Sequence, residues 1–339
     1  MPVFLEVCCG SAGLSASMTD HGIEGIGVDF KYNKHMPKVK VIDMDLSTIH
    51  GRESLLCLCA QPQVVGVWFG LPSGTLSKGS GANAGNYRPY PLRTEREPWG
   101  RTDIGMQSLE SGAAAKLAAT NALYQTVIDA VRLLNLHGVP WAIENPIRSL
   151  LWWIPCIARL LAEGARDFVF DACMHGGSRK RSLVVRSTMN LASIVAVCDG
   201  NHKHEKWKSA GEFDIATEAE YPNKLCQALA AAIAADSNVA ARVAGVRAMP
   251  DSPGLMQSAI AAAAPPNAAK NEVQPSVEGI GLQNRTGRNL IPEYKSTYSI
   301  SLRCQPIAEI NRIKTRIDSL VANGLPKEDV GIASLAATV

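Results

Sequence analysis

The stretch Val3-Phe4-Leu5-Glu6-Val7-Cys8-Cys9-Gly10-Ser11-Ala12-Gly13-Leu14 decides the fold. Its first part, Val3 to Cys9, is apolar apart from Glu6 and reads as a buried strand. Glycines at positions 10 and 13 mark a turn, and Ser11 to His21 reads as the helix that follows. A strand that passes through a glycine turn into a helix opens a parallel α/β unit. Glycines at such a turn let a ligand approach the backbone closely.

The alternation continues outward from this opening. Gly25 to Asp29 reads as a second strand, Val39 to Asp43 as a third and Val64 to Phe69 as a fourth, the last apolar throughout. Ser111 to Leu136 is an Ala-rich helix with Leu123, Val127, Val131 and Leu134 at helical spacing. Val139 to Ile143, Asp167 to Phe170 and Ser182 to Arg186 complete seven strands, and Ala216 to Ala235 is a closing helix. The expectation is an α/β protein with a Rossmann-like, doubly wound sheet over residues 1–240. From Ala248 to Val277 the chain is rich in Ala, Pro, Ser and Asn, so 241–278 is expected to be a linker. Residues 279–339 are expected to be a partly disordered extension with one short amphipathic helix, Ile307 to Val321.

With 46% hydrophobic and 19% charged residues, the chain can build a sizeable core and is not disordered as a whole. Its net charge of +3 is compatible with a nucleic-acid partner without demanding one. Nine cysteines, an odd number, and no secretory leader pattern point to a reducing, intracellular compartment, nucleus or cytoplasm. The apolar runs are too short or too broken by charge to span a bilayer, so no membrane partner is expected.

Three positions at strand ends suggest a nucleoside site. Gly10 lies in the first turn. Asp29, 19 residues later, ends the second strand, where an acid can accept both hydroxyls of a ribose. Asp45, another 16 residues on, follows the third strand and is placed for an adenine amino group.

The opening resembles motif I of the cytosine-C5 methyltransferases, Asp-Leu-Phe-x-Gly-x-Gly-Gly, with Glu6 for the Asp, Cys8 for the Phe and Ala12 for the middle Gly. Further motifs follow in family order. Leu71-Pro72-Ser73 stands where the family has Pro-Pro-Cys, and Glu144-Asn145-Pro146 resembles its Glu-Asn-Val. Arg179-Lys180-Arg181 resembles the Arg-x-Arg half of Gln-x-Arg-x-Arg, with Gly177 for the Gln. The likeness runs from Phe4 to about Ala235, and the C-terminal hundred residues lie outside it. It implies a class I S-adenosylmethionine (SAM) dependent fold, with SAM held by Glu6, Cys8, Gly10, Gly13, Asp29, Asp45 and Pro72. It also implies DNA as partner, with RNA as the alternative.

Cytosine C5 is too poor a nucleophile to attack a sulfonium methyl directly. In the family a cysteine thiolate adds to C6, a glutamate bonds N3 and N4, and an arginine contacts O2 of a base flipped from its duplex. Carried over by position, the catalytic set is Ser73, Glu144, Arg179 and Arg181. Ser73 is the departure, because a hydroxyl needs a strong base to become a nucleophile and a thiol does not. The domain is then an enzyme that works around the missing thiol, or a nucleic-acid-binding relative without turnover. Cys8 and Cys9 sit near the cofactor turn but read as packed strand residues. An NAD-type oxidoreductase is a third reading, for which the Pro-Ser, Glu-Asn-Pro and Arg-x-Arg elements have no use.

Two segments suggest surface contacts. Between Tyr87 and Arg101, the residues Tyr87, Tyr90 and Trp99 alternate with Arg88, Arg93, Arg96 and Arg101, a mixture suited to phosphate contact and base stacking. Pairing of those arginines with Glu95 and Glu97 is the plainer alternative. Arg88, Arg93, Lys180 and Lys203 are the expected nucleic-acid contacts. Cys198, His202 and His204, with Cys173, His175 or Cys226, invite a zinc reading, but their spacing is not that of a standard finger. Polar loop residues are the simpler account, and no metal is assigned.

Overall fold

A computed structural model describes residues 1–33, 35–76, 91–101, 111–205, 220–249 and 254–263. Seven strands form one mixed sheet: β1 (Val3–Val7), β2 (Glu24–Asp29), β3 (Val41–Asp43), β4 (Val64–Gly70), β5 (Trp141–Pro146), β6 (Arg166–Asp171) and β7 (Ser182–Ser187). Their order is β3-β2-β1-β4-β5-β7-β6. β1 through β5 pair in parallel, while β7 runs antiparallel to both β5 and β6. The chain moves outward in one direction from β1 to β3 and in the other from β4 onward. This reversal opens a crevice beyond the carboxyl ends of β1 and β4, where ligands bind in open α/β sheets.

Helices cover both faces. On one side lie α2 (Ile49–Cys59), α3 (Ser111–His137) and the small α4 (Pro155–Arg159). On the other lie α1 (Gly13–Met18), α5 (Asn223–Ala235) and α6 (Ser237–Ala248). β4 shows why two layers are needed. Val67 and Phe69 point into the first core and Val65 and Trp68 into the second, all without exposure to solvent. Each such side chain contributes about 1.5–3 kcal/mol on burial. The result is an α/β fold of the kind a Rossmann-like sheet describes.

Close approach dictates one glycine. A Cβ on Gly25 in β2 would sit 2.0 Å from the Ser15 carbonyl oxygen, so α1 lies on β2 only because residue 25 has no side chain.

The structure differs from the sequence reading at the C-terminal side. The stretch expected to be a linker from 241 begins inside α6, and a further helix, α7 (Gly254–Ala263), follows. Met256, Ala259 and Ala263 of α7 are buried in the first core, and the compact unit ends at Ala264 in place of residue 240. Alanine is the strongest helix former, so an Ala-rich composition supports a packed helix as readily as a linker. The rest of the expected linker and the extension, Ile307 to Val321 included, lie outside the described residues. None of the eight described cysteines forms a disulfide, and no single described helix is long and apolar enough to cross a membrane.

Candidate functional site

A cleft of about 590 Å³ opens at the carboxyl ends of the parallel strands, within the size range of small-molecule sites. It gathers Glu6, Cys8, Gly10, Gly13, Asp29, Asp45 and Pro72, every residue the sequence assigned to a cofactor. Ser73, Glu144 and Arg181 line it too.

The β1–α1 turn forms one wall. Cys8, Gly10 and Ala12 all have left-handed backbone, with φ of 55°, 55° and 54°. Glycine adopts this conformation freely, whereas Cys8 and Ala12 do so at a cost of about 1–2 kcal/mol each. The turn is fastened to β2: the Gly10 N–H donates to Asp29 Oδ2 at 2.7 Å, and Asn33 Nδ2 donates to the Gly10 carbonyl at 2.6 Å. The Phe30 N–H donates to Asp29 Oδ1, also at 2.7 Å. Burial raises the Asp29 carboxyl above its usual range, opposed by these two N–H donors. Oδ2 also accepts Asn33 Nδ2 at 3.2 Å, so the lone pair left for a ligand hydroxyl is on Oδ1.

Glu6 projects from β1 beneath the start of α1, where its Oε2 accepts the Ser15 N–H at 2.6 Å. Its carboxyl stands where a helix N-terminus favours negative charge. Burial pushes its pKa up to about 7 despite that hydrogen bond. Burial also drives the Cys8 and Cys9 thiols far above their usual value, with Asp29 adding to the shift. The shift favours the thiol in both, but they lie in the turn after β1 and line the cleft, and so are not the packed strand residues the sequence suggested. Asp45 is exposed at the end of β3, and its Oδ1 accepts from the N–H and hydroxyl of Ser47 at 2.9 and 2.6 Å.

β4 and β5 supply the opposite wall. Asn145 Nδ2 donates to the Leu71 carbonyl at 2.8 Å, and the Tyr124 hydroxyl donates to the Pro72 carbonyl at 2.7 Å. Together they fix the backbone on either side of Pro72 and hence Ser73. No hydrogen bond to the Ser73 hydroxyl is found among the described residues.

Glu144, at the end of β5, is 4% exposed. Its Oε2 accepts the Tyr221 hydroxyl at 2.6 Å, and Tyr221 in turn accepts Trp68 Nε1 at 3.2 Å. Its Oε1 is buried without a hydrogen-bond partner among the described residues; Arg181 Nη2 stands 4.0 Å away. Burial raises the Glu144 pKa, opposed by Arg181 and Tyr221. A buried carboxyl in a cleft wall with one oxygen lacking a hydrogen bond among the described residues is costly unless another donor completes it.

Other expected residues lie elsewhere. Arg179 is buried outside the cleft lining, 3.8 Å from Glu205 Oε2. Lys180 points the other way, 3.8 Å from Asp171, and Lys203 is exposed. Arg93, expected on a nucleic-acid surface, is only 1% exposed. It donates to Thr75 Oγ1 at 3.2 Å and to the Pro98 carbonyl at 2.7 Å, and lies over the Tyr124 ring. It therefore braces the loop after β4 and cannot reach phosphate in this arrangement. Arg88 lies outside the described residues.

Sequence reasoning missed Tyr221, Glu220 and Lys38. Glu220 lines the cleft, and its carboxyl is held low by the Ser11 hydroxyl and by Lys38, whose Nζ is 3.3 Å from Glu220 Oε1. Carboxyl groups thus outnumber basic side chains in the lining: Glu6, Asp29, Asp45, Glu144 and Glu220 stand against Arg181 and His35. Such a cleft favours a ligand with positive charge and hydroxyl or amino donors, and disfavours a pyrophosphate.

Searched against models of known protein families, the chain matches none, and no curated protein is significantly similar to it.

Proposed function

We propose that this chain is a SAM-binding protein of the cytosine-C5 methyltransferase type, with a class I methyltransferase sheet, that takes a nucleic-acid cytosine against Glu144. The observation that carries the reading is Glu144 itself, buried and with one oxygen lacking a hydrogen bond among the described residues, in the same cleft as Asp29 and Asp45. DNA is the partner proposed, with RNA as the alternative arm of the test. The acceptor is intracellular nucleic acid in either case.

The residues present fit SAM. Asp29 Oδ1 has a lone pair for a ribose hydroxyl, Asp45 lies beyond β3 for the adenine amino group, and the acidic lining suits a sulfonium and an ammonium. When bound, SAM supplies an electrophilic methyl group. The same acidity opposes the dinucleotide alternative, since Glu6 already occupies the helix N-terminus that a pyrophosphate would need. A seventh, antiparallel strand between β5 and β6 also departs from the all-parallel dinucleotide-binding order.

Glu144 is suited to a cytosine edge. Its raised pKa favours a shared or bound proton, so it can pair with N3 and accept from N4. Tyr221 fixes its second oxygen, and Arg181 is near enough to reach a base oxygen on the same edge. Ser73 occupies the nucleophile's place but has no base bonded to it among the described residues. That observation favours a second reading, a domain that binds SAM and nucleic acid with little or no turnover.

The test is transfer of labelled methyl from SAM to cytosine-containing DNA and RNA by wild type, Ser73→Cys and Glu144→Ala, with SAM binding measured by calorimetry. Transfer by the wild type that Glu144→Ala abolishes supports an enzyme. Transfer only by Ser73→Cys supports an intact cytosine pocket without its nucleophile. Absence of both transfer and SAM binding in every variant rejects the proposal.

A further inference from the structure

The turn between β6 and β7 and the loop after β7 bring Cys173 to three residues, Cys198, His202 and His204, that lie 25 or more positions further along the chain. Cys173 lies in a single 3-10 turn, Ala172–His175, directly after β6. Cys198, His202 and His204 lie on the loop that follows Ile194. One ligand atom from each of the four falls within 4.8 Å of all the others. None of them lines the acidic cleft.

The two sulfur–nitrogen separations at Cys198 are those of a tetrahedral metal shell, and Cys173 Sγ lies within 4.8 Å of all three other ligand atoms. Bond lengths of about 2.3 Å to sulfur and 2.0–2.1 Å to nitrogen at a tetrahedral angle place a sulfur and a nitrogen ligand about 3.6 Å apart. Cys198 Sγ is 3.8 Å from His202 Nε2 and 3.5 Å from His204 Nε2. The two imidazoles meet nearly edge to face at 4.6 Å, so both rings converge on the same side.

The surrounding groups complete such a shell. The Gly200 N–H points at Cys198 Sγ at 3.4 Å, a donor that suits a thiolate. With Nε2 of His202 turned toward Cys198, its Nδ1 faces Asp199 Oδ1 at 4.0 Å. Asp199 is held by the Asn201 N–H and side-chain amide, both at 2.9 Å. A carboxylate on that side of a ligating imidazole favours this ring orientation. The Cys198 N–H is anchored on Asp171 Oδ2 at 2.7 Å. His175 and Cys226 take no part: His175 Nε2 is 2.9 Å from the Ile194 carbonyl, and Cys226 lies beside Gly13.

We propose that Cys173, Cys198, His202 and His204 bind one zinc ion in a closed Cys2His2 site that is structural. Four protein ligands leave no open position for chemistry. The ion clips the loop after β7 to the β6–β7 turn. Beyond it, the Glu205 N–H donates to the Ser178 carbonyl at 3.0 Å and Glu205 pairs with Arg179. The same turn delivers Arg181 to the cleft, so the metal braces one of its walls. This inference stands whether or not the cleft binds SAM.

The test uses the whole chain, untagged and purified under reducing conditions. Elemental analysis is expected to find one zinc per chain, falling to about a tenth or less in Cys173→Ser and in His204→Ala. Cys57→Ser, a cysteine elsewhere, is expected to keep its zinc. Because the ligand variants can fail to fold, wild-type chain loaded with Co(II) supplies the second measurement. A tetrahedral visible spectrum with thiolate charge transfer is expected. A chain that takes up no zinc, zinc retained undiminished in folded Cys173→Ser, an octahedral Co(II) spectrum, or a Cys173–Cys198 disulfide that forms in place of metal binding would each overturn the proposal.

Discussion

Replacing Glu6 by glutamine separates the charge of this side chain from its shape. In the native protein its carboxyl titrates near pH 7, because burial outweighs the Ser15 N–H that it accepts. In the unfolded chain it titrates near 4.5. Between those values the native state holds a proton that the unfolded state has released, so stability falls as pH rises through that window and levels off above it. A difference of 2.5 units at about 1.36 kcal/mol each gives about 3 kcal/mol in all, of which roughly 2–3 kcal/mol falls between pH 5 and pH 8. Glutamine keeps an oxygen for the Ser15 N–H and removes the titration. Urea denaturation of both proteins across that range is the assay. The variant should gain on the wild type as pH rises, by that amount. Parallel stability curves would show that Glu6 does not carry the shift, and the account of the β1–α1 turn as a buried carboxyl under a helix would fail.

Gly25→Ala drives a Cβ into the Ser15 carbonyl and should cost more than about 3 kcal/mol by thermal denaturation, whereas Gly245→Ala, where a Cβ meets no atom within 4 Å, should be neutral or slightly stabilising. Arg93→Ala should lower stability by about 2–4 kcal/mol in chemical denaturation yet leave the salt dependence of nucleic-acid binding unchanged; a shallower salt slope would return Arg93 to the surface role that its burial contradicts. Tyr221→Phe removes one bond from Glu144 and the acceptor of Trp68 Nε1, so a stability loss of about 1–3 kcal/mol is expected, with the Glu144 pKa moving up in a pH titration because Tyr221 holds it down.

The strand ends of this fold were legible because they combine two signals. Asp29 and Glu144 each close an apolar run, and an acid at the end of a buried parallel strand has few places to go except the crevice. Helix α2 was not legible, since Leu55, Leu56 and Leu58 are mixed with Gly51 and Ser54 and form no clean stripe; its start depends on a Thr48 cap. Arg93 misled because charge shows in sequence and burial does not, and its partners Thr75 and Tyr124 are brought in by the fold. Tyr221 reaches Glu144 across 77 positions, a pairing no local pattern encodes. Cys173 was one of three candidates to join Cys198, His202 and His204, and the β6–β7 turn selects it by bringing it under that loop.

Helix α5 carries a consequence for the order in which the protein is made. Leu225, Leu229 and Ile233 are fully buried against the sheet face that also holds Phe4, Trp68 and Leu183. A nascent chain that has not yet released these residues from the ribosome has all seven strands, but one apolar face is covered by α1 alone among its helices. Its first strand, at the centre of the sheet, must therefore wait for nearly the whole of the folded unit to be synthesised. During that interval the chain is a client for chaperones, and a stop codon before α5 should yield an insoluble fragment with one sheet face largely uncovered.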